Sequence, residues 1–223
     1  MVHLDERLSA AERLIGKCIR LVDIGTNHGF LPVHMIQSGL CQRALLCDIS
    51  ADALSRARRL VEKTGLQEQT AFLVTDGLHG ITLEEGNVVS VCGMGARTIG
   101  HILTSPLPCP IVVQANVEVP YLRRHIESIG MHIAEEDIAF AAGRYYVLLR
   151  AEPGADERMS DYEAHIGRGL LQKNPPLFRD YLIWRKGVTG RALRGTEDGS
   201  DKARFEAAKK EYEDVLRALE EIQ

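Results

Sequence analysis

Five short apolar runs alternate with stretches of helical period, and the first four runs each carry an acid or a glycine at or next to their last position. The runs are IRLVDIG (19–25), RALLCDI (43–49), TAFLVTD (70–76), NVVSVCG (87–93) and IVVQAN (111–116), and each reads as a strand. Helices are expected around 30–39, from Ser50 as N-cap to Gly65, from Gly95 to about Leu103, and from about Val119 to Gly130. A further helix is expected over 3–17, where Leu4, Leu8 and Ala11 recur on one face. Strand–helix alternation at this spacing calls for a parallel sheet wound on both faces. MHIAEEDIAF and RYYVLLRAE then pair as a hairpin across Ala141–Gly143, which adds an antiparallel edge.

The character of the chain changes after about residue 153, so two domains are expected, 1–153 and 154–223. No strand is expected in the second. Residues 158–172 and 176–186 read as helices split at Asn174-Pro175-Pro176, 187–201 as a loop rich in Gly, Thr and Ser, and the rest as one long amphipathic helix.

Composition removes several classes. No run of about 18 apolar residues occurs, so no membrane span is expected. The N-terminus is acidic, with no hydrophobic signal core, which points to the cytoplasm. Cys18, Cys41, Cys47, Cys92 and Cys109 are odd in number and form no C-x-x-C pair, so they read as reduced thiols, with no metal site. A net charge of −4 leaves nucleic-acid binding to local basic patches.

In an open α/β sheet, ligands bind beyond the carboxyl ends of the strands. The first such end is DIGTNHG, with Asp23, Gly25, Asn27, His28 and Gly29. It lacks the central glycine that admits a pyrophosphate, and it lacks a phosphate-binding lysine motif. It therefore suits a nucleoside without phosphates. Asp48, followed by Ile49, is placed to accept two ribose hydroxyls. Asp76-Gly77 is placed to meet the amino edge of an adenine. Gly93, Met94 and Gly95 allow close approach, and Met94 either stacks on that adenine or packs internally.

DIGTNHGFLP, CDISADALSRAR, DGLHGI, CGMGARTIGHIL and VVQANVEVPYLRRHIESIG together resemble the bacterial tRNA (adenine-22-N1)-methyltransferase family, TrmK, within the class I S-adenosyl-L-methionine methyltransferases. The resemblance runs over about residues 4–150 and more weakly across the tail. It implies a seven-stranded Rossmann-like sheet with an antiparallel terminal hairpin and a C-terminal α-helical, coiled-coil-like domain. It also implies S-adenosyl-L-methionine as cofactor and tRNA as partner, methylated at N1 of an adenine. The chain departs from the family pattern at Asn27, Ala96 and Ala115, and near the hairpin turn at Ala141 and Ala142. A methyltransferase of this fold with another substrate, and an RNA-binding protein that only retains the pocket, are the alternative readings.

Adenine N1 is already a lone-pair nucleophile, so the reaction needs alignment more than a strong base. His28 either touches cofactor or base, or is a hydrogen-bonded structural histidine. Gln114 and Asn116 have the donors and acceptors to orient a flipped base, or else they cap the fifth strand. Tyr145 and Tyr146 read as packing. For RNA, the basic stretch Arg179, Arg185, Lys186, Arg191 and Arg194, with Tyr181 and Trp184 among it, suits phosphate contact and stacking. Arg123 and Arg124 add a second basic pair.

Overall fold

The apolar runs become one sheet in the computed structural model, which describes residues 1–196 and 201–222. The strands are β1 (Cys18–Ile24), β2 (Cys41–Asp48), β3 (Thr70–Val74), β4 (Asn87–Met94), β5 (Ile111–Ala115), β6 (Met131–Ala141) and β7 (Arg144–Pro153). Their order is β3-β2-β1-β4-β5-β7-β6. β1 to β5 run parallel, while β7 lies antiparallel to both β5 and β6. The chain steps outward from β1 to β3, then returns to set β4 beside β1. That reversal opens a crevice at the carboxyl ends of β1 and β4.

The strand centres are apolar without alternation because both faces are covered: Leu21, Val22, Leu46, Val89, Val91, Val112 and Val113 are all buried. The covering helices are α1 (Glu6–Ile15), α2 (Phe30–Gln37), α3 (Ala51–Thr64), α4 (Ala96–Ile102) and α5 (Val119–Ser128). Local chemistry sets their ends. The Ser50 side chain accepts from the Ala53 N–H at 3.3 Å to start α3, and Gly65 ends it in the left-handed region at φ 71°. α1 is shorter than the expected 3–17, because the Asp5 carboxylate accepts from the Leu8 N–H and Gly16 closes the helix.

The chain divides into two compact units, Met1–Asp156 and Glu157–Gln223. The second holds α6 (Asp161–Ile166), α7 (Arg168–Lys173), α8 (Phe178–Arg194) and α9 (Lys202–Glu221). Two expectations are corrected here. The stretch 158–172 is two short helices, because Gly167 at φ 113° interrupts it. The expected loop over 187–201 is helical as far as Arg194, and residues 197–200 of it lie outside the described residues. The glycine at 190 serves packing, since a Cβ there would stand 3.3 Å from the Tyr212 ring of α9. The Asn174-Pro175-Pro176 break is present, with Asn174 left-handed at φ 42° after α7. Among the described residues, no helix is long and apolar enough to cross a membrane.

Candidate functional site

The crevice is a cleft of about 1150 Å³, walled by the loops that follow β1, β2, β3 and β4. Asp23, at its floor, is only 6% exposed. The register sets Asp23 opposite Ser90 on β4, and the Ser90 hydroxyl donates to its carboxylate at 2.5 Å. Burial pushes the Asp23 carboxyl above its ordinary value, and the Ser90 hydrogen bond opposes that shift. The Thr26 hydroxyl faces the same carboxylate without a well-formed hydrogen bond.

The loop after β1 stays tied to β2: the N–H groups of Gly25 and Thr26 both donate to the Cys47 carbonyl, at 2.8 and 3.0 Å. Asn27 then takes φ 48°, a conformation asparagine tolerates better than most residues. Asp48 accepts from the Ser50 N–H at 3.0 Å and more weakly from the Asn27 N–H at 3.4 Å. Its carboxylate faces the cleft with acceptor capacity to spare. Ile49 is 70% exposed beside it. Asp76 and Gly77 line the cleft just beyond β3.

Gly25 is needed for space as well as conformation. At φ 73°, a Cβ on it would stand 2.2 Å from the Met94 methyl, which lies across the glycine. Gly93, at φ 83°, occupies a bulge where the β4–β5 register slips between Cys92 and Met94. His28 lines the cleft, and its observed neighbour is a ring: it stacks on Phe30 with centroids 5.3 Å apart. Gly29 and Gly95 stand behind the wall. A Cβ on Gly29 would meet Ala57 of α3 at 3.1 Å, and Gly95 is the N-cap of α4.

Gln114 is corrected as a base-contacting residue. It is fully buried, and both ends of its amide are taken. Its Oε1 accepts from Arg7 at 3.1 Å, and its Nε2 donates to Asn116 Oδ1 at 3.1 Å. Asn116 is exposed and donates its Nδ2 to the Gly93 carbonyl at 2.8 Å. The two amides therefore hold the Gly93–Met94 bulge in place. Arg7 on α1 anchors this chain and also lines the cleft, a role that the sequence pattern did not bring out. One signal was available: Ala11, on the apolar face read from the sequence, stands four positions on, which puts Arg7 on that same face, and both Ala10 and Ala11 are fully buried.

Two of the expected RNA contacts are also corrected. Arg123 is fully buried and pairs with Glu136 of β6 at 2.7 Å. Arg185 is buried and pairs with Glu211 of α9. Arg124 is partly exposed and pairs with Glu127 at 3.1 Å. Arg179, Lys186, Arg191 and Arg194 are exposed on α8, and Trp184 is 40% exposed among them. Steps of seven and eight put Arg179, Lys186 and Arg194 on one stripe. No cluster of three or more metal-ligating side chains occurs among the described residues.

A family model described as "Methyltransferase domain" matches residues 4–149. The tRNA (adenine(22)-N(1))-methyltransferase of Bacillus subtilis (strain 168) is 27% identical over 176 residues, covering 76% of this chain and 73% of that protein. Among solved structures, M. capricolum TrmK in complex with S-adenosyl-homocysteine is 24% identical, with a TM-score of 0.83 over 99% of each chain. The B. subtilis M1A22 tRNA methyltransferase TrmK is 21% identical, with a TM-score of 0.84 over 98% of this chain and 100% of that one.

Proposed function

Because the chain belongs to the methyltransferase domain family, we propose that it is an S-adenosyl-L-methionine-dependent tRNA methyltransferase acting on N1 of an adenine, adenine 22 in the D-arm. The observation that carries the reading is the Asp48 carboxylate, held by the Ser50 N–H at the end of β2 and turned to the cleft. The name of the B. subtilis relative supports the choice of substrate.

The residues fit that cofactor. Asp48 accepts from the ribose hydroxyls, and Asp76 accepts from the adenine amine. Gly25, with no room for a Cβ beside Met94, lets the backbone approach the nucleoside. Arg7 offers a guanidinium to the cofactor's carboxylate, and the Asp23 carboxylate offers a counter-charge to its ammonium. When bound, the cofactor supplies a methyl group already activated by a sulfonium.

The chain's own residues then have to align the base and tolerate the charge that forms. The adenine N1 lone pair attacks the methyl carbon as the carbon–sulfur bond breaks, and no proton has to leave N1 first. The product base is cationic. The Gly93 carbonyl, fixed by Asn116, and the carboxylates of the cleft favour that charge. His28 and Phe30 form a ring platform at the cleft wall on which a flipped base can lie. The exposed cations of α8 bind the RNA backbone, and Trp184 offers a ring on which a base stacks.

The test is mass spectrometry of tRNA nucleosides after incubation of unmodified tRNA with the protein and cofactor. A gain of 1-methyladenosine, mapped to position 22, is expected. A methylated nucleoside other than 1-methyladenosine, or no gain with cofactor bound, would overturn the reading.

A further inference from the structure

Cys18 is the first residue of β1 and Cys41 the first of β2, and the parallel register sets them directly opposite each other. Opposed residues on neighbouring strands point to the same face of the sheet about 4.8 Å apart. That lies within the Cα separation of about 4.4–6.8 Å that a disulfide spans. The Cys41 thiol donates to the Arg43 carbonyl at 2.7 Å. Cys18 also lines a cavity of about 470 Å³ at this amino-terminal edge of the sheet, together with Lys17, Asn87 and Arg150. A small solute can therefore reach Cys18 from outside, while Cys41 lies buried behind it. No step of methyl transfer uses these residues, because the cleft lies at the opposite ends of the same strands.

We infer that Cys18 and Cys41 are a dithiol that hydroperoxides close, reversibly, to an intramolecular disulfide. One sulfur, as thiolate, attacks a peroxide oxygen. The oxygen–oxygen bond breaks, hydroxide leaves, and that sulfur becomes a sulfenic acid. The second sulfur then displaces hydroxide from the first, and the sulfur–sulfur bond forms. Two thiols and one hydrogen peroxide thus give one disulfide and two waters, the sulfurs losing the two electrons that the peroxide gains. Either cysteine can take the first step, and the product is the same.

The other cysteines have no such partner. Cys47 stands opposite Ile24, and Cys92 stands opposite Gln114. Burial pushes both of those thiols up to about 12, and Cys109 upward as well, so they stay protonated and slow to react. Within the pair, the neighbouring Cys18 pulls Cys41 down and is itself pushed up, which favours thiolate on Cys41. The Arg150 charge works the other way, partly opposing the rise at Cys18.

The experiment treats the full-length folded protein with hydrogen peroxide, alkylates the remaining thiols, and maps the digest by non-reducing mass spectrometry. A linked peptide joining Cys18 and Cys41 is expected, two hydrogens lighter than the reduced pair and abolished by dithiothreitol. Cys47, Cys92 and Cys109 should appear alkylated. Cys18→Ser should remove the link and leave a sulfenic acid on Cys41 that a dione reagent traps, and Cys41→Ser should leave one on Cys18. Recovery of both cysteines alkylated after treatment would overturn the inference. So would a link between other cysteines, or a link that forms only after the far-ultraviolet circular dichroism signal is lost.

Discussion

Arg7 Nη1 donates to Gln114 Oε1 at 3.1 Å, joining two residues 107 positions apart in the chain. Through Gln114 and Asn116 that contact reaches the Gly93 carbonyl, so one arginine on the first helix both faces the cleft and braces its far wall. Arg7→Ala should weaken cofactor binding by about 1.5–3 kcal/mol, the scale for hydrogen bonds to charged groups. Calorimetry with S-adenosyl-L-methionine checks this, and unchanged affinity in a folded variant would remove Arg7 from the cofactor site.

Asp48 faces the cleft from the end of β2. Asp48→Ala removes the acceptor for the ribose hydroxyls and the brace on the Ser50 N–H. A loss of about 1.5–3 kcal/mol in cofactor affinity is expected. Asp48→Asn, which keeps one carbonyl acceptor, should lose less. Equal losses in the two variants would show that the loop, and not the ribose contact, sets the affinity.

Asp23 carries a pH signature. Burial raises its carboxyl in the folded state above the unfolded value. Between those two values the folded chain holds more protons than the unfolded chain, so stability falls as pH rises through that window. Asp23→Asn removes the titration. The stability of this variant relative to the parent should therefore grow as pH rises from below the ordinary carboxylate range to neutrality. Its cofactor affinity should fall by about tenfold or more, from the lost charged hydrogen bond. Denaturant melts of the apo proteins across pH measure the first effect, and a pH-independent difference would contradict it.

The β6–β7 turn is strained at one residue. Ala142 and Gly143 form its two-residue loop with φ of 48° and 74°. Such hairpins want positive φ at both positions, which costs an L-residue other than Asn or Asp about 1–2 kcal/mol. Ala142→Asn should stabilise the chain by about 1 kcal/mol. A midpoint unchanged in urea would show that the turn bears no such cost.

For RNA, the exposed α8 cations and the buried Arg185 should separate in their effects. Charge reversal at Lys186 or Arg194 should weaken tRNA binding and lower the slope of log K against log salt by about one for each phosphate that is no longer neutralised. Trp184→Ala should cost about 1–3 kcal/mol if a base stacks on it. Arg185→Ala should instead lower the melting temperature, because it strips the partner from Glu211. Filter binding at several salt concentrations, with a thermal melt of each variant, distinguishes the cases.

Much of this molecule was legible along the chain. Apolar runs that end in Asp23, Asp48 and Asp76 announce parallel strands with a cleft at their carboxyl ends, because period and end chemistry are local properties. Ser50 and Gly65 mark the ends of α3 for the same reason. The basic stretch of α8 was legible as composition, but the stripe through Arg194 required the helix to run past the expected end at 186. Side-chain placement was a different matter. Arg123 and Arg185 read like their surface neighbours, and only Glu136 on β6 and Glu211 on α9 show that they are interior charges. The helix through Gly187 and Gly190 contradicts local propensity, and the Tyr212 ring against Gly190 explains the small residue. The same holds for Gln114, whose amide is spent on Arg7 and Asn116, and for Cys18 and Cys41, brought opposite each other by register. The presence of each strand and its end follow from short-range pattern, which the sequence carries in itself, whereas the order β3-β2-β1-β4-β5-β7-β6 is set by the fold. Whether a polar side chain meets solvent, a ligand or a buried partner depends on residues tens of positions away, and desolvation decides that choice only once the fold has closed.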